Sequence, residues 1–285
     1  MKEHQQQLLA TVEQSPAAVA VHDKAAWLAI FARYHVVEDP VGSAAHVGGL
    51  YDAASGQRGN GALSRFFDTF IAPNNIRFAV AGDYVGGHHV VRDLTIHITM
   101  SDAVEVEVPM CLLYELVEEN GSWKIQRLAA HWELLPMMAQ LLGKGLACLP
   151  VLAALSWRML KLQGMGGMLG FSKAALNIGN GGKRRVRQFV DAFNRRSLAD
   201  LMAQCAGDAR MISWPCADEP LNPSMLLEQR GGELQVDKLL AAGDTVTAKV
   251  CWRQGDAEQR GVALFEFNRK LGRISALRLY LADAV

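Results

Sequence analysis

The chain has 285 residues, half of them hydrophobic, and its 29 Lys and Arg balance 29 Asp and Glu. That length holds two domains of ordinary size. A formal net charge of zero excludes the broad basic surface that nucleic-acid binding requires. The five cysteines (Cys111, Cys148, Cys205, Cys216 and Cys251) form no CxxC pair and have no metal-ligand spacing. An odd number of such thiols fits a reducing compartment, and the polar start MKEHQQQLLATVEQ is unlike a signal peptide, so a cytoplasmic protein is expected.

In chain order, residues 4–14 and 23–34 read as helices. The second has Trp27, Leu28, Ile30 and Phe31 on its apolar face and Asp23 as N-cap. Val36 and Val37 end an extended entry, and Pro40 and Gly42 make a turn around Asp39. Residues 44–60, rich in Gly, Ala, Ser and Asn, read as a loop. Leu63, Phe66, Phe67 and Phe70 are at helical spacing, and Pro73 stops that helix. The period then becomes two. Leu94, Ile96, Ile98 and Met100 alternate with Asp93, Thr95, His97 and Thr99, and a second strand covers 104–117. Glu118-Glu119-Asn120-Gly121 is a hairpin turn, and Trp123 to Leu134 is the return strand. One apolar and one polar face indicate an antiparallel sheet covered on one side by helices, with His97 on the polar face and His131 turned away from a pocket lined by Leu128 and Trp132.

Residues 135–170 are different in kind. Leu146–Leu155 is nearly all apolar, followed by Ser156-Trp157-Arg158 and Gly164-Met165-Gly166-Gly167. Gly145, Pro150, Arg158 and Lys161 interrupt it too often for a comfortable bilayer span. Its first reading is a hydrophobic helical linker between domains. Its second is an interfacial helix giving peripheral membrane contact, with Arg158 and Lys161 snorkelling. From 181 the outline of the first segment recurs: helices over 183–194 and 198–206, a reduced third helix near 224–234, and strands over 245–252, 261–268 and 273–281. This is read as a diverged duplication. The adjacent His88 and His89 face opposite ways on a strand, so no metal site is expected. Gly179-Asn180-Gly181-Gly182-Lys183 lacks phosphate-loop spacing, and no cofactor is expected.

The octapeptide Val36-Val37-Glu38-Asp39-Pro40-Val41-Gly42-Ser43 resembles the string that carries the catalytic base in bacterial ketosteroid isomerases, within the NTF2-like and SnoaL-like domains. The resemblance spans about residues 15–132. It implies an α+β fold of two tandem cone-shaped NTF2-like domains: 1–134, a linker 135–180, and a degenerate copy 181–285. It places the base on Asp39, with Glu38 facing the surface. The family's donors, two tyrosines and a protonated aspartic acid, fall on Ser15, near Phe67, and near Cys111 or Leu112. In the second copy the base position falls on Ser213 or Trp214. The cone is expected to be lined by Phe31, Phe66, Phe67, Phe70, Leu112, Tyr114, Leu128 and Trp132. The implied function is an acid–base enzyme of isomerase or cyclase type acting on a hydrophobic steroid-, polyketide- or lipid-like substrate. The replaced donors favour the alternative, a noncatalytic binding protein for an apolar small molecule. The two domains are expected to pair within one chain, with the oligomeric state open.

Overall fold

A computed structural model describes residues 2–49, 51–52, 57–58, 61–207 and 210–282. The chain divides into two compact units: unit 1 is 1–82 with 88–176, and unit 2 is 83–87 with 177–285.

In unit 1, α1 (Lys2–Ala20) and α2 (Lys24–Ala29) precede strand β1 (Phe31–Glu38). The α2 start is capped as expected, with the Asp23 carboxylate accepting from Ala26 N at 2.9 Å. The helix expected to reach residue 34 stops at Ala29, because Phe31 opens β1. Short strands β2 (His46–Val47), β3 (Tyr51–Asp52) and β4 (Gln57–Arg58) lie in the expected loop; residues 53–56 and 59–60 of that loop lie outside the described residues. Helix α3 (Gly61–Phe66) runs into a π-helical turn over Phe67–Ile71. Strands β5 (Asn75–Gly86), β6 (His89–Ser101), β7 (Val104–Glu119) and β8 (Ser122–His131) complete a sheet of order β2-β1-β8-β7-β6-β5. Strand β5 has no counterpart in the sequence reading. Neither does the parallel pairing of β1 with β8 in an otherwise antiparallel meander. Bulges between Thr99 and Ser101 and between Glu115 and Leu116 bend the long strands. The β7–β8 turn is as expected, with Asn120 and Gly121 both at positive φ.

The stretch expected to be a linker belongs to unit 1 as far as Leu176. Helix α4 (Leu134–Leu142) lies where β7 runs on past the end of β8. There the Gln140 amide satisfies both backbone groups of Glu107, at 3.0 and 2.7 Å. Helix α5 (Cys148–Ser172) is broken at Gly164, whose φ of 68° needs a residue without Cβ. It is fastened by Phe171 stacked on Phe70 (5.4 Å), by Gln163 donating to Thr69 (3.2 Å), and by Ala44 N donating to the Gly170 carbonyl (3.0 Å).

Unit 2 repeats the plan. Helices α6 (Gly179–Asn194), α7 (Leu198–Gln204) and α8 (Pro223–Gln229) accompany strands β9 (Ile212–Ser213), β10 (Glu233–Ala242), β11 (Thr245–Gln254), β12 (Ala257–Asn268) and β13 (Arg273–Leu281). The sheet order is β10-β11-β12-β13-β9 with β9 parallel to β13, which is the β5-β6-β7-β8-β1 order of unit 1. A bulge falls between Glu266 and Phe267, as between Glu115 and Leu116. Aligning these bulges sets Glu38 against Ser213 and Asp39 against Trp214. The backbone bond from Cys216 N to Leu279 O then matches that from Val41 N to Ala130 O. Each unit is thus an α+β layer of helices on a curved sheet.

Candidate functional site

Asp39 follows the last residue of β1, and its backbone turn is pinned to the neighbouring strand by Val41 N donating to Ala130 O at 2.8 Å. Gly42, at φ 94°, lets the chain leave the sheet at once. Alternation across the strand end separates the acidic pair. Glu38 faces outward but is half-buried, because Arg127 grips it at 2.6 Å and bridges to Glu115 at 2.8 Å. Asp39 faces inward, into an apolar cavity of about 150 Å³.

Burial raises the Asp39 carboxyl from the usual carboxylate range to about 6, and the Trp132 indole, donating to Oδ1 at 2.6 Å, partly offsets that rise. The cavity is walled by Phe66, Phe70, Leu112, Tyr114, Leu128 and Trp132, together with Ile96, Ile98, Met100, Val108 and Met110 of β6 and β7. Two of the expected lining residues stand elsewhere. Phe31 and Phe67 both pack on Trp27 in the core, at 4.9 and 5.5 Å, and neither borders the cavity. The helical spacing of 63–70 is broken by the π turn that begins at Phe67.

The polar complement of the cavity is small. Ser15 lies at its wall, and its oxygen accepts from Trp27 Nε1 at 3.1 Å, which leaves the hydroxyl hydrogen to donate. Asn74 also borders it, with one amide hydrogen committed to Phe70 O at 2.7 Å. Arg158 of α5 also borders the cavity, and its buried Nε has no hydrogen-bond partner among the described residues. Burial lowers its pKa. The position near Cys111 and Leu112 presents Leu112 to the cavity. His131 is buried with Nδ1 against Cys111 O at 3.2 Å and does not border it. His97 sits beside Glu105 and Glu107 at 3.6 and 3.5 Å. Asp93, expected on a solvated or domain-facing surface, is 4 % exposed, and its neighbour Arg92, also buried, pairs with Glu13 at 2.9 Å.

Sequence reasoning did not anticipate that α4 and α5 close this cavity. Leu134, Met137 and Met138 of the one, and Leu155, Arg158 and Phe171 of the other, all border it. An apolar run with no helix caps and no neighbouring motif carries no signal for which surface it will cover. In unit 2 the corresponding place is filled. Trp214 stands where Asp39 does, fully buried against Phe193 and Trp252 at 5.0 and 5.5 Å.

Solved structures similar to this chain include a Δ5-3-ketosteroid isomerase from Mycobacterium sp., 28% identical with a TM-score of 0.36, covering 44% of this chain and 92% of that one. A Mycobacterium tuberculosis protein in complex with estradiol-17beta-hemisuccinate is 27% identical, TM-score 0.37, covering 46% and 96%. An epoxide hydrolase/cyclase-like enzyme of pyran ring formation in the polyether salinomycin is 18% identical, TM-score 0.38, covering 46% and 94%. No family model and no curated protein matches the chain. These neighbours are similar to about half of the chain.

Proposed function

We propose that unit 1 is an acid–base enzyme for an apolar ligand that carries an acidic C–H next to a carbonyl, with Asp39 as the general base. The observation that carries this reading is a half-buried carboxyl at the wall of an apolar cavity, its pKa raised by burial to about 6. A base of that strength takes a carbon-bound proton at neutral pH and returns it to another carbon without being locked in either state. Removing the proton leaves an enolate, whose oxygen needs donors. The Ser15 hydroxyl, the Asn74 amide and the Arg158 guanidinium are donors that the lining supplies, in place of the tyrosines and aspartic acid of the isomerases. Steroid-like and polyketide-like ketones fit the apolar walls as a class, and isomerisation and ring closure share this first step.

A second reading, a noncatalytic binding site for the same class, is favoured by one specific feature. Trp132 already occupies Asp39 Oδ1, which suits a carboxyl that is part of a fixed wall. The two readings part in one experiment: turnover of a panel of β,γ-unsaturated ketones and lactones by the full chain and by its Asp39→Asn variant, with ligand affinity measured in parallel. The enzyme reading expects a loss of turnover on the order of 10²–10⁴-fold with binding retained. Equal turnover in both proteins, or none in either with binding intact, contradicts the base assignment.

A further inference from the structure

Helix α5 has two apolar faces, and the fold uses one. Its inner face, with Leu155 and Phe171, walls the Asp39 cavity. Its outer face is bare: Leu149 (57 %), Trp157 (65 %) and Leu160 (41 %) are exposed before the Gly164 break, and Met165 (61 %) and Leu169 (62 %) after it, with Leu146 just ahead of the helix at 83 %. At 100° per residue Leu149, Trp157 and Leu160 of α5 fall within an arc of about 80°. Among the described residues Gly145–Ala175 is the one helical stretch long and apolar enough to cross a membrane, and only 11 % of its most apolar window is buried. A helix in the core of a soluble protein would be mostly covered.

The charge of the same stretch names what covers the face. From Leu134 to Leu176 there is no acidic residue, while Lys144, Arg158, Lys161 and Lys173 are all basic, in a chain whose net charge is zero. Arg158 turns inward to the cavity; Lys144, Lys161 and Lys173 are exposed. An apolar stripe edged by lysines, with a tryptophan on it, has the chemistry of an interfacial helix on anionic lipid. We propose that unit 1 docks onto an anionic bilayer surface through the outer face of α5, lying in the interface and not spanning it. Spanning would strip the inner face from the Phe70 stack, the Thr69 hydrogen bond and the Ala44 hydrogen bond that hold it. Docked, the cavity wall rests on lipid; that this is where an apolar ligand enters rests on the proposed function, whereas the docking does not.

The test is flotation of the full chain with phosphatidylcholine vesicles, with and without phosphatidylglycerol, at low and high ionic strength. Binding is expected to require phosphatidylglycerol and to fall with salt. Replacing Lys144, Lys161 and Lys173 together by Gln should weaken it on the order of 100-fold, from about fivefold per cation. Trp157→Glu with Leu160→Glu, at solvent-exposed positions, should abolish it while circular dichroism and ligand affinity at the Asp39 cavity stay as in the parent, so that docking fails separately from the cavity reading. Bound protein should be released by alkaline carbonate. A chain that stays off anionic vesicles overturns the proposal. So does one that forms a dimer split by Trp157→Glu, which makes the face an interface between copies, or one that carbonate cannot release.

Discussion

Asp39 is the residue on which the chemistry turns, and two opposing effects set its proton affinity: burial raises it to about 6, and the Trp132 indole holds it below where burial alone would put it. Trp132→Phe removes the indole that favours the ionised form, so the midpoint of a pH–rate profile should move upward from about 6. A midpoint that stays put would show that the indole does not act on the carboxyl. The same shift bears on stability. The native state holds the Asp39 proton from the unfolded value of 3.8 up to about 6, so the stabilising contribution is whole below the lower value and is lost as pH rises through the upper one. That window is worth about 3 kcal/mol. Asp39→Asn should therefore be more stable than the parent at neutral pH and should lose that advantage below about pH 4, as read by urea unfolding at several pH values; an equal gain at both pH values would exclude titration of Asp39 as its source. The position of Asp39 was legible because Pro40 and Gly42 constrain the backbone on either side of it. Arg158 was not, since nothing local ties a basic residue in an apolar run to a cavity more than a hundred positions upstream.

At the scale of elements, regular periods were legible and junctions were not. The alternation in 94–100 and 104–116 gave β6 and β7, but Ile76, Phe78 and Val80 alternate just as well and β5 was passed over. Phe31 continued the helical spacing of Trp27 and Ile30 although it begins β1. Local pattern is blind to which of two adjoining elements claims a shared apolar residue. The largest departure is α5, expected between domains and found closing the cavity. Its seat is tight at one point: a Cβ on Gly170 would lie 2.5 Å from the Ala44 Cβ. Gly170→Val should lever the helix from the Asp39 turn, costing on the order of 1–3 kcal/mol and weakening ligand binding. Stability equal to the parent in urea unfolding would mean that the helix is not seated there.

Across the whole molecule, one strand order occurs twice, and where unit 1 sets the Asp39 carboxyl in an apolar cavity unit 2 sets a buried indole. The repeated strand order was legible from the likeness of 114–116 and 121–125 to 265–268 and 271–274, and Trp214 was one of two positions foreseen at the base's place; the register of β9 on β13 selects it. A fully buried indole there makes unit 2 a packed core, so Trp214→Ala should cost about 3–5 kcal/mol. A cost under about 1 kcal/mol in denaturant unfolding would show that Trp214 is not a core residue of unit 2. The proposed function belongs to unit 1, with Asp39 as its base. Its most direct test is the pH dependence of kcat/KM for a β,γ-unsaturated ketone, compared between the parent and Trp132→Phe. A limb that rises with pH, centred at about 6 in the parent and higher in the variant, is the predicted result. A profile flat through that region, or a limb that tryptophan replacement leaves in place, would contradict it.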